Sequence, residues 1–99
     1  MKAYIAGNYT INDNAMYMEY MKKVGGIVSK YNGRTLIADH DFSVLEGKPG
    51  KVMVLVEFDS FQEAQNFYNS IEYQEIVNFR KQSTEGWLLI ASEFKMMGN

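Results

Sequence analysis

The alternation of hydrophobic and polar positions along the chain predicts strands and helices in a regular order. Residues 2–9 are predicted to form the first strand, and polar residues before Ala15 can accept hydrogen bonds from the start of a helix. Asn32 and Gly33 are expected to end this helix, because glycine adopts the left-handed conformation without a steric clash. Its apolar residues recur at three- and four-residue steps, which predicts one buried face: Tyr17, Tyr20, Met21, Val24, Ile27, Val28 and Tyr31.

Two glycines stand inside this predicted helix, at Gly25 and Gly26. Each costs about 1 kcal/mol relative to alanine in a helix interior. The pair therefore indicates either a kink in the helix or the close approach of another backbone segment.

Two-residue alternation predicts three more strands, over Arg34–Phe42, Lys51–Phe58 and Gly86–Phe94. The first of these is expected to carry four side chains on one face: Leu36, Ala38, His40 and Phe42. The other two carry large apolar side chains on both faces, and Glu57 interrupts the best of them. Antiparallel sheets with one solvent-exposed face alternate apolar with polar residues along each strand. Because these strands are apolar on both faces, both faces of the sheet are expected to be covered.

Two helical segments are predicted between the third and fourth strands. Ser60 followed by Glu63 forms a capping box, in which each side chain satisfies a free backbone donor at a helix start. This helix is expected to run to about Asn69. Ser70 is the expected N-cap of a further helical piece that carries Arg80.

The resulting order is strand, helix, strand, strand, helix, strand, which is the pattern of the ferredoxin-like fold. We expect a single α+β domain over residues 1–99, with both helical layers on one face of a four-stranded antiparallel sheet. No further chain remains to cover the second apolar face. A second copy packed sheet to sheet is the economical cover, and it would form a homodimeric α/β barrel.

Composition narrows the classes of partner and site. The net charge is −2 and no Lys/Arg cluster is present, which disfavours nucleic acid. The absence of cysteine excludes disulfides and thiolate metal sites, and it fits a reducing cytoplasm. No run approaches the roughly 20 apolar residues of a membrane span. We expect a cytoplasmic protein that uses no metal and no cofactor.

Several segments together resemble a known family. They run from the turn before the third strand to the last helix: Val44–Gly47, Val54–Ser60, Ala64, Phe67–Ser70, Glu72–Gln74 and Arg80. The chain resembles the family called domain of unknown function 1330, over nearly its whole length. The resemblance implies a dimeric α/β barrel and no particular activity. This chain departs from the family pattern at Asn14, where a proline is frequent, and at Gly50-Lys51, where basic residues are frequent.

Glu57 and Arg80 are the charged candidates for a ligand-binding site. Burial of Glu57 in an apolar strand would raise its pKa unless cations or donors hold it charged. The alternative is an edge position or a structural pair with Arg34, Lys51 or Arg80. Arg80 lies beside apolar helical residues, where its planar fork would clamp a carboxylate or would pair with Glu72 or Glu57.

Tyr68 and His40 are the remaining candidates. Tyr68 follows Phe67 in the buried stripe of the second helix, and its hydroxyl would enter a pocket or be satisfied within the core. His40 is the single histidine, so a proton relay or an axial haem ligand would depend on this one ring. A hydrogen-bonded or solvent-facing histidine at the strand end is the alternative.

The leading hypothesis is a mostly apolar cavity between sheet and helices that binds a small aromatic or carboxylate-bearing metabolite. Glu57, Arg80, Tyr68 and His40 would supply its polar groups. One alternative is a non-catalytic dimeric module in which the charges are structural pairs. The other is a cofactor-independent monooxygenase or isomerase, and whether the chain is an enzyme stays open at this stage.

Overall fold

The computed structural model describes residues 1–95 and contains four strands and three helices in the predicted order. They are β1 (Ala3–Ile11), α1 (Asn14–Lys30), β2 (Arg34–Asp39), β3 (Val52–Phe58), α2 (Phe61–Tyr68), α3 (Ile71–Lys81) and β4 (Thr84–Ser92). Side chains cap all three helices: Asp13 accepts from the Met16 amide at 3.0 Å, and Ser60 and Ser70 accept from the amides three residues on at 3.1 Å.

The strands form one antiparallel sheet in the order β2-β3-β1-β4. β1 is central, and Ile5 lies opposite Val56 on one neighbour and Ile90 on the other. The helices cover one face of this sheet. This is an α+β fold of the ferredoxin-like type, as the element order predicts. Within residues 1–95, no helix combines the length and the hydrophobicity needed to cross a bilayer.

The end of α1 differs from the prediction, because Asn32 and not Gly33 adopts the left-handed conformation, with φ of 61°. The Asn32 amide donates to Ser29 O at 3.0 Å and the Gly33 amide to Val28 O at 2.9 Å. These two bonds form a Schellman motif with asparagine in the usual glycine position. Gly33 is small for another reason. A Cβ there would lie 2.8 Å from both Phe58 and Val28.

β2 also departs from the expected alternation. A bulge shifts its register between Thr35 and Ile37, so Thr35 lies opposite Val56 and Ala38 opposite Val54. The prediction that Leu36 shares a face with Ala38 is therefore wrong, because the extra residue of a bulge inverts the alternation on its far side. The strand ends at Asp39.

The two faces of the sheet have different surroundings. The face toward the helices carries Ile5, Val56 and Phe58, which pack in the core with side chains from all three helices. The other face, here called the open face, carries Tyr4, Leu55, Glu57, Trp87 and Leu89. Trp87 and Leu89 are 48% and 46% exposed. The sheet is thus apolar on both sides, and residues 1–95 of a single chain leave the open face uncovered.

Candidate functional site

A cavity of about 440 Å³ lies between α1 and the sheet. Valines of β3 and Ile5 of β1 line the sheet side, and Met21, Val24 and Val28 line the helix side. The walls are therefore mainly apolar. Four tyrosines, Tyr9, Tyr17, Tyr20 and Tyr73, supply hydroxyl groups within this apolar lining.

The cavity opens toward the edge strand β2. Thr35 and Ala38 line it from the strand, and both are exposed, as are Asp39 and His40 at its rim. The part of the lining that β2 supplies is therefore accessible from solvent at this edge of the sheet. This opening gives a small molecule a direct route from solvent to the interior.

Gly25 forms part of the cavity wall on α1. A Cβ added at Gly25 or at Gly26 would meet no atom within 4 Å, and α1 continues unbroken through both. Of the two alternatives that the glycine pair indicates, the close approach of another backbone segment is therefore wrong. Gly25 contributes its backbone to the lining, whereas Gly26 lies outside the lining.

The four lining tyrosines form two hydrogen-bonded pairs. The Tyr9 and Tyr17 hydroxyl oxygens are 2.6 Å apart, and those of Tyr20 and Tyr73 are 2.9 Å apart. Burial is the main cause that raises the pKa of Tyr9, Tyr17 and Tyr20 above that of free tyrosine. The hydroxyls of Tyr9, Tyr17 and Tyr20 are therefore neutral near pH 7, and each carries its proton.

Arg80 lies behind this tyrosine cluster and is 7% exposed. Its Nε donates to the Tyr73 hydroxyl at 3.4 Å, and its guanidinium carbon is 5.9 Å from the centre of the Tyr20 ring. Burial lowers the pKa of the guanidinium, but Tyr73, Tyr20 and Tyr9 raise it, and the net pKa is above its usual range. Arg80 is therefore charged, with tyrosine dipoles around it.

Neither acidic partner considered for Arg80 is paired with it. Glu72 forms an ion pair with Lys30 and accepts a hydrogen bond from Tyr31. The other candidate, Glu57, is on the opposite face of the sheet. Among the ion pairs found within residues 1–95, none involves Arg80.

Glu57 belongs to the open face. Its Oε1 accepts from Arg34 Nε at 2.9 Å and from Lys2 Nζ at 3.2 Å, and its Oε2 accepts from Tyr4 at 3.2 Å. The Arg34 hydrogen bond is the main cause that lowers the pKa of the Glu57 carboxyl. The expectation that Glu57 lies in the cavity is wrong, because strand alternation places it with Leu55 on the other side of the sheet. The pairing with Arg34 considered from the sequence is present.

The structure therefore separates the four sequence-predicted candidates. His40 is at the cavity rim, and Arg80 reaches the lining through Tyr73. Tyr68 packs with its ring 5.3 Å from that of Tyr73 and does not line the cavity. Glu57 is across the sheet.

Sequence reasoning missed the tyrosine cluster as a site. The periodicity predicts Tyr17 and Tyr20 as apolar residues of a buried helical face, and it gives Tyr9 and Tyr73 no role beyond their strand and helix. The available signal was their number, because a buried tyrosine hydroxyl requires a polar partner. Within residues 1–95, no group of three histidine, aspartate or glutamate side chains is placed to hold a metal ion.

Residues 2–94 match the family model described as Domain of unknown function (DUF1330). The chain belongs to the DUF1330 family. This confirms the resemblance seen in the sequence. A comparison of this DUF1330 protein with curated protein sequences gives no match.

Solved structures share the fold of this DUF1330 protein at low sequence identity. A protein of unknown function from Rhodopseudomonas palustris is 14% identical, with a TM-score of 0.76 over 96% of this chain and 84% of that one. SnoaB, a cofactor-independent oxygenase from Streptomyces nogalater, is 3% identical, with a TM-score of 0.68 over 99% and 98%. A dimeric protein of unknown function with a ferredoxin-like fold from Bacteroides fragilis is 9% identical, with a TM-score of 0.55 over 93% and 96%. These similarities establish the fold alone.

Proposed function

We propose that this DUF1330 protein binds a small, largely apolar molecule, aromatic or carboxylate-bearing, in the cavity between α1 and the sheet. The cavity itself carries the proposal. Its volume of about 440 Å³ falls within the roughly 300–1,000 Å³ of small-molecule sites. Such sites combine apolar walls with a few convergent polar groups, and the tyrosine hydroxyls are groups of that kind.

Gly25 and Gly26 offer a matched pair of variants to test this. Gly25→Leu places a side chain into the cavity wall, whereas Gly26→Leu makes the same change one residue away, outside the lining. Both remove a helix-interior glycine, so both should gain similar helix stability. A difference between them in ligand binding therefore reports on the cavity.

The assay is thermal shift with benzoate, salicylate, 2-naphthoate and indole-3-acetate and with the corresponding amides. Ligand binding to the native state raises the melting temperature by mass action. At least one compound should raise it in the wild type and in Gly26→Leu but not in Gly25→Leu. The proposal fails when no compound does so, or when all three proteins respond alike.

Binding, and not catalysis, is the function that this geometry supports. The hydroxyls inside the cavity are held neutral by burial and are poor general bases near pH 7. His40 lies at the exposed rim. The cofactor-independent oxygenase shares the fold, and one fold hosts many chemistries.

We also propose that the protein is a homodimer that packs through its open face. Exposed Trp87 and Leu89 on that face support it, as does the dimeric relative of the same fold. Light scattering should then give twice the chain mass of 11.4 kDa. A mass of one chain at micromolar concentration would refute it.

A further inference from the structure

Arg80 is anomalous among the charged residues of the fold. Arg34 pairs with Glu57 and Asp59, and Lys30 pairs with Glu72. These cations are exposed. Among residues 1–95, the buried Arg80 has only a tyrosine hydroxyl at 3.4 Å and an aromatic ring nearby. A buried charge is costly unless an opposite charge and hydrogen bonds compensate it. A bound anion would supply this compensation.

The tyrosine hydroxyls of the adjacent cavity have protons that a ligand can accept. Tyr20 and Tyr73 have two hydroxyl protons, and the bond between them uses one. Arg80 donates to Tyr73 and consumes none. Whichever tyrosine donates within the pair, one proton is left for another acceptor. The pair of Tyr9 and Tyr17 leaves one more by the same count.

The cluster therefore has spare donors and a positive charge behind them. An ionised carboxylate only accepts hydrogen bonds, and it accepts up to about four. A neutral amide or alcohol brings donors of its own. Asp39 also lines the cavity, but it is exposed at the rim, where water screens its charge.

We infer that the tyrosine cluster backed by Arg80 is an anion-recognition subsite, so that the ligand is an organic acid whose carboxylate meets the tyrosine hydroxyls. This deepens, and rests on, the proposed binding function. Tyr73 and Tyr20 touch the ligand. Arg80 is a positioning residue that acts through Tyr73 and supplies the counter-charge.

The test compares each aromatic acid with its own amide, because the two have nearly the same shape and differ in charge. Hydrogen bonds to charged groups contribute about 1.5–3 kcal/mol, which corresponds to about 10- to 100-fold in affinity. By isothermal titration calorimetry the wild type should bind the acid at least about 10-fold more tightly than the amide. Arg80→Met should bind both equally, and Lys81→Met, at an exposed neighbouring cation, should keep the wild-type preference.

Stability of the empty protein distinguishes this role from a structural one. If Arg80 is structural, Arg80→Met should melt at a lower temperature than the wild type. If Arg80 is instead a counter-charge awaiting a ligand, Arg80→Met should melt at the same or a higher temperature. Should Arg80→Met fail to fold, two milder variants give the same readout. Arg80→Lys keeps a cation and should keep the acid preference, and Tyr73→Phe should lose it.

The two proposals fail in different ways. Equal affinity for acid and amide in the wild type, or an acid preference that survives in Arg80→Met and Tyr73→Phe, overturns the anion subsite and leaves the binding cavity intact. If no compound raises the melting temperature of the wild type in a way that Gly25→Leu abolishes, the binding cavity and the subsite are both overturned.

Discussion

Alanine at Gly25 and at Gly26 should each stabilise the protein. Both glycines lie inside α1, where glycine costs about 0.5–1 kcal/mol relative to alanine because the unfolded chain loses more conformational freedom. A Cβ at either position meets no atom within 4 Å, so no steric cost offsets the gain. The double variant should gain about 1–2 kcal/mol. For a domain of this size, each kcal/mol raises the melting temperature by about 4–8 °C.

Urea unfolding followed by circular dichroism measures this gain, and Gly33→Ala is the contrasting variant. Its Cβ would lie 2.8 Å from Phe58 and Val28, so overpacking should cost about 1–3 kcal/mol. Destabilisation by alanine at Gly25 or Gly26 would refute the reasoning, because it would mean that α1 is not a regular helix there or that the space beside it is occupied. Stabilisation by Gly33→Ala would refute the packing described at the end of α1.

Two further predictions concern the open face. Glu57→Gln should lower the urea midpoint at pH 7, and the gap from the wild type should close in acid. Arg34 holds the folded-state pKa of Glu57 below its ordinary 4.5. The contribution of Glu57 to stability is therefore full above pH 4.5 and is lost as the pH falls through the lower, folded-state pKa. A difference in urea midpoint that persists to about pH 2, or one equal to that of the exposed Glu75→Gln, would contradict this. Leu89→Glu should give monomers in light scattering, because a buried carboxylate opposes sheet-to-sheet packing, whereas Ile71→Glu, at a residue that is 76% exposed on α3, should stay dimeric. Dimers in both would place the interface elsewhere.

Element order, helix starts and the apolar character of both sheet faces were predictable from the sequence, since each depends on local spacing or on a capping side chain. Ser60 and Ser70 show this, because their hydroxyls cap the helices that they were expected to begin. The bulge at Leu36 was not predictable. The sequence Thr35-Leu36-Ile37 does not indicate which residue will be left out of the strand register. The bulge is seen only in the pairing of β2 with β3.

The site was less accessible to sequence reasoning, because it is assembled from residues distant in the chain. Tyr20 and Tyr73 are 53 residues apart and meet through their hydroxyls. Periodicity identifies both as buried and does not show that they face each other. Glu57 stands out in the sequence as the one charge in an apolar strand. The alternation that identifies this strand also places Glu57 on the face away from the cavity.

The buried guanidinium of Arg80 also bears on how long the protein survives in a cell. A bound acid would supply a counter-charge to Arg80, and without that stabilisation a larger fraction of molecules is unfolded and open to proteases at any moment. An acid that occupies the cavity withdraws molecules from that unfolded pool in proportion to its concentration. The cellular abundance of the protein would then rise and fall with the concentration of its ligand, because ligand binding slows degradation.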